Sequence, residues 1–334
     1  MRFYEQLQKH EIYQNWPSLA EDPGMDRIKE LAADINQKRH VFLEDSIRLR
    51  DWQTLMSMVD TKNKVFLICE NIPIQWPRPN NIEVINIHYW AWKTSKWMRD
   101  KMRDRSFTKM FKRNSETIQN DFFFTLGNDR DRDRLLMVKY LSDTGLLHGA
   151  RFSSPNIGKI DLPQDPELYD PALAEPVIAT RLETEILPYS RIRDDESNTD
   201  TIVSASRSSG FHLVLDNEFS QERCGNVNEK PLWPSLAQTP AYWITSDHVW
   251  DQLRRWGFVC LNQEPAPKGL WTRVKHHARN IWHLKQIQRS KPWQQKWQDL
   301  QGGLVENNRQ ALLSLHDRIC EDVEQQLISK EFSW

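Results

Sequence analysis

The chain has 334 residues and a formal net charge of −1, with 39 % hydrophobic and 27 % charged residues. This length exceeds the usual size of one domain and predicts two packed domains, and the composition excludes an intrinsically disordered chain. The near-zero net charge argues against a surface that follows nucleic acid everywhere, although local patches remain open. Because no stretch approaches the roughly 18 apolar residues of a membrane span, we expect a cytoplasmic protein with no membrane partner.

Short β-rich segments alternate with longer segments in the first part of the chain. His40–Leu43, Lys64–Cys69 and Ile82–Ile87 each run into polar residues, and most of the segments between them have the length of a helix. This alternation is typical of β-α units, whose parallel strands bind ligands at their carboxyl ends. The polar residues at these ends are therefore functional candidates: Glu44, Asp45, Glu70 and His88.

A second alternation follows a polar, helical segment at 90–116. The strand Asp121–Leu126 precedes a predicted helix at 129–141, and a Pro-, Asp- and Glu-rich connection at 155–200 is predicted to be irregular, with room for one helix. Strands are then predicted at Phe211–Leu215, Ala241–Ile244 and Phe258–Leu261, with helices at 229–238 and 246–256 between them.

The chain from Lys268 onward is predicted to be helical, and it carries one apolar stripe formed by Leu312, Leu315, Ile319, Val323 and Leu327. The sequence thus predicts an α/β protein with two Rossmann-like domains and C-terminal helices. We place an N-terminal Rossmann-like domain at 1–117, a second Rossmann-like domain at 118–262, and helices that pack across both at 263–334.

The segment Asn228-Glu229-Lys230 stands at the start of a predicted helix, soon after the strand that ends at Leu215. Free N–H groups at a helix start favour an anion, and a lysine there suits a diphosphate. Glu218 or Glu229 would accept hydrogen bonds from ribose or sugar hydroxyls, as acidic residues do after Rossmann strands. The alternative is that Glu229 and Lys230 form a solvated surface pair.

The order of these residues resembles that of inverting fucosyltransferases and, more closely, that of related bacterial and phage glycosyltransferases. The fucosyltransferases carry approximately F-E-N-S, then T-E-K at a helix start, then A-G-x-x-P-V. In the bacterial and phage proteins, T-E-K is followed by a segment ending in L-R-x-L-G-F, which is similar to Leu253–Phe258 here. Asn228 stands in place of the family's Thr, Pro231 follows Lys230 directly, and Asp216-Asn217-Glu218 only approximates F-E-N.

A second part of the resemblance lies upstream, and together the two parts cover about residues 120–262. The family has a strand, an Arg-bearing turn and helix, and then G-L followed by Ser, similar to Phe124–Arg134 and Gly145–Ser153. The resemblance implies a GT-B-like glycosyltransferase whose two domains face a cleft. It also implies inverting transfer from a nucleotide-sugar, with a UDP- or GDP-sugar expected and no cofactor required. The residues that it assigns to the donor are Arg134, Glu218, Glu229 and Lys230, with Arg130 and Arg132 as alternates for the phosphate contact.

The run Asp129–Arg134 has an alternative interpretation. A D-x-D motif after a strand is the metal-binding feature of GT-A glycosyltransferases, in which carboxylates hold Mn²⁺ or Mg²⁺ against the donor diphosphate. We expect no metal, because the interleaved arginines serve a diphosphate directly and the second domain has a GT-B pattern. A solvated helix start is the third possibility.

Direct inversion requires a base that deprotonates the acceptor hydroxyl, and in a GT-B layout the N-terminal domain supplies it. The candidates are Glu70 and Asp45, with Glu44 and His88 behind them. Each of these residues has an alternative role in capping a loop at a strand end.

The acceptor is suggested by Lys93, Lys96 and Arg99, which interleave with Trp92 and Trp97 as on surfaces that bind phosphates and stack bases. A second basic, aromatic stretch spans 268–296. These patches favour DNA as a partner, with a modified base of phage DNA as acceptor and the host cytoplasm as the setting. The alternatives are a cell-surface glycan or small carbohydrate as acceptor, and a nucleic-acid-binding protein without catalysis.

Overall fold

The computed structural model describes residues 3–4, 24–43, 49–70, 72, 76–103, 118–125, 132–153, 186–187, 196–216, 219, 227–262, 265–290 and 294–332. These residues contain two parallel sheets with helices packed on them, which confirms the predicted α/β class. Among the described helices, none has both the length and the apolar composition that a bilayer span requires.

The first sheet consists of β1 (His40–Leu43), β2 (Val65–Cys69) and β3 (Ile82–Asn86), hydrogen-bonded in that order. Helices α1 (Gly24–Gln37) and α2 (Leu49–Ser57) precede β1 and β2, and α3 (Tyr89–Arg103) follows β3. The helix α1 is amphipathic because its apolar side chains recur at helical spacing and are buried against one face of the sheet. Those side chains are Ile28, Leu31, Ala32 and Ile35.

The second sheet contains β4 (Asn120–Thr125), β5 (Ala150–Ser153), β6 (Ile186–Leu187), β7 (Ser209–Leu215) and β8 (Ala241–Ile244). Their spatial order is β6-β5-β4-β7-β8, and all neighbouring pairs are parallel. This is the 3-2-1-4-5 order of a Rossmann sheet, in which the chain reverses its direction of winding between the first and fourth strands. The switch point of this sheet therefore lies between β4 and β7.

Helices cover both faces of the second sheet. α4 (Arg132–Asp143) and α8 (Leu270–Arg289) share an apolar cluster with Phe122 and Phe124. On the opposite face, α5 (Glu196–Arg207), α6 (Trp233–Ala237) and α7 (Asp247–Arg255) pack with Phe123 and Trp243. Alternate side chains of β4 thus enter different cores, as the period of a strand requires.

The last helix, α9 (Gln294–Ser329), contacts elements of both sheets. Its predicted apolar stripe is confirmed, because Leu312, Leu315 and Ile319 are buried in a cluster that includes Phe66 of β2 and Trp243 of β8. Polar contacts also attach α9 to the first sheet and to the end of α7. Gln326 exchanges two hydrogen bonds of 3.0 Å with the backbone of Asn86, and the indole N–H of Trp256 donates to Asp322 at 3.0 Å.

The predicted strand at Phe258–Leu261 is wrong. The side-chain amide of Asn308 satisfies both backbone groups of Val259, accepting from its N–H at 2.8 Å and donating to its carbonyl at 2.7 Å. A side chain of α9 thus occupies the positions that a neighbouring strand would take. The predicted helix at 229–238 is also modified, because a 3₁₀ turn at Lys230–Leu232 precedes α6.

Candidate functional site

The carboxyl edge of the second sheet is formed by the residues that end β4, β7 and β8. Thr125, Asp216 and Thr245 lie there, all buried, and the backbone N–H of Asp216 donates to Ile244 at 3.0 Å. Open parallel sheets bind ligands in the crevice outside this edge, at the switch point of the strand order. The region beside Thr125 and Asp216 is therefore the candidate ligand-binding site of this sheet.

The segment Asn228-Glu229-Lys230 is tied to this edge by the amide of Asn228. Its Nδ2 donates to Oδ1 of Asp216 at 3.2 Å, and its Oδ1 accepts from the backbone N–H of Lys230 at 2.9 Å. A neutral amide is suited to this double role because it carries both donors and an acceptor. Asn228, which stands where the family that the sequence resembles has Thr, is thus the anchor of the segment.

Glu229 and Lys230 begin the 3₁₀ turn with both side chains half-buried. The carbonyl of Glu229 accepts from the N–H groups of Leu232 and Trp233 at 3.0 and 3.2 Å, whereas its side chain makes no capping hydrogen bond. Pro231 fits the first turn because no N–H partner is needed there. The segment places one carboxylate and one ammonium group beside the switch point.

Arg273 of α8 supports this edge from behind and was missed by the sequence analysis. Its guanidinium is fully buried, and it donates to the carbonyl of Phe219 at 3.0 Å and to Oδ1 of Asp247 at 2.5 Å. It thereby links the segment that follows β7 to the segment that follows β8. The only trace in the sequence is an i, i+4 row on α8 that continues through His277 and Ile281, both buried.

Two of the predicted arginines of the donor site, Arg132 and Arg134, belong to the first turn of α4. Arg134 is fully buried beside the buried Asp133, so its guanidinium has no solvent-exposed surface. Arg132 begins α4, and its side chain lies outside the described residues. Also outside them are Arg130, Glu218, and the Asp129 and Asp131 of the alternative metal site; within the described residues, no group of three or more His, Cys, Asp and Glu is arranged to hold a metal ion.

Glu70 follows β2 at the carboxyl edge of the first sheet, where it is 2 % exposed. Its Oε1 accepts from the backbone N–H of Trp90 at 3.3 Å in the first turn of α3, and its carbonyl accepts from the N–H of His88 at 3.3 Å. Burial, and then the charge of Glu70, raise the pKa of Tyr4, whose hydroxyl donates to Ile87. The other predicted base, Asp45, and its neighbour Glu44 lie outside the described residues.

His88 lies where the first sheet packs against α7. Its backbone φ of 46° is left-handed, and its ring meets the ring of Trp256 edge-on at 5.0 Å. Burial lowers the pKa of His88 to about 3, and the charges of His248 and Arg255 act in the same direction. Burial also lowers the pKa of His248 to about 4. The charge of Asp251 acts on His248 in the opposite direction, so neutral imidazoles lie beside both a cation and an anion at this junction between the two sheets.

The sequence analysis missed His248 and Arg255 as part of this junction. Their spacing of seven residues on a predicted helix was the available signal, since residues so spaced share one face. Nothing in the sequence identified His88 as the residue opposite that face.

The predicted nucleic-acid patch on α3 is divided between the surface and the core. Lys93 and Lys96 are exposed, and the ammonium of Lys93 lies 5.5 Å from the ring of Trp90. The side chain of Arg99 is 14 % exposed and pairs with Asp317 at 3.4 Å. Trp92 is a core residue that stacks on Tyr4 at 4.4 Å, and the partly buried Trp97 packs against the core, where it meets Trp233 edge-on at 5.9 Å.

Neither the comparison with protein-family models nor the comparison with curated proteins gives a match. The functional inference therefore rests on the fold and on the residues at the two carboxyl edges.

Proposed function

We propose that this chain is a GT-B-like glycosyltransferase that moves a sugar from a nucleotide-sugar to a hydroxyl acceptor, with inversion and without a metal. The observation that carries the proposal is the attachment of Asn228-Glu229-Lys230 to Asp216, beside the switch point of a sheet with Rossmann strand order. Nucleotides bind at this place in such sheets.

The donor residues have distinct roles in this proposal. The ammonium of Lys230 neutralises the diphosphate, whose negative charge grows as it leaves the sugar. Glu229 and Glu218 accept hydrogen bonds from hydroxyls of the ribose or sugar. Arg130 and Arg132 contact phosphate, while the buried Arg134 retains its charge and adds positive potential behind the edge.

The acceptor side belongs to the first sheet, with Glu70 or Asp45 as the base. The carboxylate takes the proton of the acceptor hydroxyl while the new C–O bond forms and the bond from sugar to diphosphate breaks. Support for this arrangement comes from α7, which begins after β8 and ends beside Trp256, the residue that contacts His88. One helix thus runs from the donor edge of the second sheet to the acceptor edge of the first.

DNA is one proposed acceptor, because Lys93 lies over the partly exposed ring of Trp90 and Lys96 is exposed on the same helix. A modified base that is flipped out of the DNA duplex would present its hydroxyl to the cleft. A cell-surface glycan or small carbohydrate is the alternative acceptor, and it would not need Lys93, Lys96 or Arg99.

Thermal unfolding in the presence of UDP- and GDP-sugars tests the donor site. A ligand at about 100 times its dissociation constant adds about 2.7 kcal/mol to the free energy of unfolding, and we expect Tm to rise by roughly 5 °C. Lys230→Ala should abolish this rise, because the diphosphate loses its counter-charge. Lys62→Ala, at an exposed lysine near the amino end of β2, should keep it.

Three outcomes would contradict the proposal. A Tm unchanged by UDP-, GDP-, ADP- and CDP-sugars alike would remove the donor site. A rise in Tm that survives Lys230→Ala would move the site away from this edge. Transfer that stops on adding EDTA would favour the metal alternative at Asp129 and Asp131.

A further inference from the structure

Helix α8 differs from the rest of the chain in its charge. Its 20 residues include five Lys or Arg and no Asp or Glu, although the whole chain has a net charge of −1. The last helix, α9, by contrast interleaves acidic and basic residues along its length. A helix with cations alone concentrates positive potential along its axis and attracts polyanions.

Three of the five cations of α8 face the protein and have acidic partners. Arg273 pairs with Asp247 at 2.5 Å, and Lys285 and Arg289 both pair with Asp121, at 3.2 and 2.5 Å. These contacts fix α8 against both edges of the second sheet. The other two cations of α8, Lys275 and Arg279, are exposed to solvent.

The solvent-exposed side of α8 carries Lys275, Arg279, Trp282 and His283. Their spacing places them along one side of the helix, within about 12 Å at 1.5 Å per residue. Trp282 is 48 % exposed, and its ring meets that of His283 at 4.8 Å. A half-exposed indole beside cations provides a platform on which a planar group can stack.

We infer that this outer face of α8, formed by Lys275, Arg279, Trp282 and His283, binds single-stranded nucleic acid. Lysine and arginine contact successive phosphates, and the free face of Trp282 stacks on a base. A single strand fits this face better than a duplex, because duplex bases are already stacked on one another and cannot reach the indole. The inference does not depend on glycosyl transfer.

Fluorescence anisotropy with a labelled single strand of about 15 nucleotides tests the inference without any sugar donor. The wild-type chain should bind at low salt and lose affinity steeply as salt rises. The double variant Lys275→Gln/Arg279→Gln should bind at least about tenfold more weakly, with a salt slope smaller by roughly 1.4, since each phosphate contact contributes about 0.7. Trp282→Ala should also weaken binding about tenfold, but with an unchanged salt slope.

The matched control is Arg27→Gln/Lys29→Gln, which removes the same charge from an exposed helix where acidic residues pair with both side chains. It should bind as the wild type does. Absence of binding at low salt, or equal affinity of the two double variants, would overturn the inference. Preferential binding of a duplex that Trp282→Ala leaves unchanged would overturn the single strand as the occupant. Because Lys230 is intact in every variant, stabilisation by nucleotide-sugars should persist, and the donor proposal stands or fails separately.

Discussion

The carboxyl edges of the two sheets carry similar polar residues but use them differently. At the first edge the carboxylate of Glu70 itself accepts from the N–H of Trp90, and His88 is buried against Trp256. At the second edge the amide of Asn228 makes both anchoring contacts, and Glu229 and Lys230 remain half-buried.

This difference determines which edge presents charge to a ligand. A neutral amide supplies a donor and an acceptor from one side chain, so Asn228 holds this segment to Asp216 without using a charged side chain of its own. A carboxylate that caps a helix is stabilised where it stands and loses freedom to contact a second molecule. The second edge is therefore the better place for a charged ligand, whereas Glu70 and His88 of the first edge are engaged in contacts within the protein.

Acid should destabilise most strongly the regions of the protein that contain buried histidines. Burial lowers the pKa of His88, at the first edge, and those of His212 and His277 in the second half, each to about 3. In the unfolded chain a histidine has a pKa near 6.5, so the unfolded state binds protons first as the pH falls. Stability is complete above about pH 6.5 and is lost toward pH 3, by roughly 4 kcal/mol per pH unit for the three together.

Denaturant unfolding at about pH 7.5 and pH 5.5 measures this loss. His88→Asn isolates the first edge, because asparagine tolerates the left-handed backbone of this position. It should remove about a third of the acid sensitivity. A pH profile identical to that of the wild type would show that the first edge is open to water, and the contrast between the edges would disappear.

Arg273→Met tests whether the second edge depends on support from α8. The variant removes the donors to Phe219 and Asp247 from a fully buried site, and we expect the free energy of unfolding to fall by about 3 kcal/mol. Arg289→Met is the control on the same helix. Its side chain is 53 % exposed, so its pair with Asp121 should contribute at most about 1 kcal/mol. Equal effects of the two variants would mean that the edge holds its shape without Arg273.

Local patterns in the sequence were sufficient for several elements. The strands at His40–Leu43 and Ala241–Ile244 coincide with the prediction, because each is a short apolar segment bounded by polar residues. The strand β5 (Ala150–Ser153) was not predicted, and the helix α5 (Glu196–Arg207) only overlaps the end of the 155–200 connection, for which one helix without bounds was predicted. Four residues are too few to show a period, and the sequence before α5 is dominated by Pro, Asp and Glu.

The arrangement of the candidate site was only partly accessible from sequence. Asn228-Glu229-Lys230 was singled out by its position after a strand, but the bond from Asn228 to Asp216 depends on the path of the connection between them. The contact of His88 with Trp256, and the reach of Arg273 to Phe219, join residues that are distant in the chain. Such contacts are set by tertiary packing, which leaves no periodic signal in one sequence.

The smallest expected effect on stability concerns Glu70, whose capping role and proposed catalytic role can be separated. Glu70→Gln keeps an oxygen that accepts from the N–H of Trp90, so the free energy of unfolding should change by less than about 0.5 kcal/mol. Glu70→Ala removes the acceptor and should cost about 1 kcal/mol, a typical loss for a helix cap. Equal stabilities of the two variants would contradict the cap.

Measurements of transfer activity then show which of the two candidates, Glu70 or Asp45, is the base. The amides of glutamine and asparagine are poor proton acceptors, whatever their effect on the fold. We expect one of Glu70→Gln and Asp45→Asn to lower the rate of transfer about 100-fold at unchanged stability. Retention of activity by both variants would remove the base from this edge. Loss of activity with Asp45→Asn alone would identify Asp45, in the segment that follows β1, as the base. Glu70, at the end of β2, would then serve only to hold the start of α3 in place.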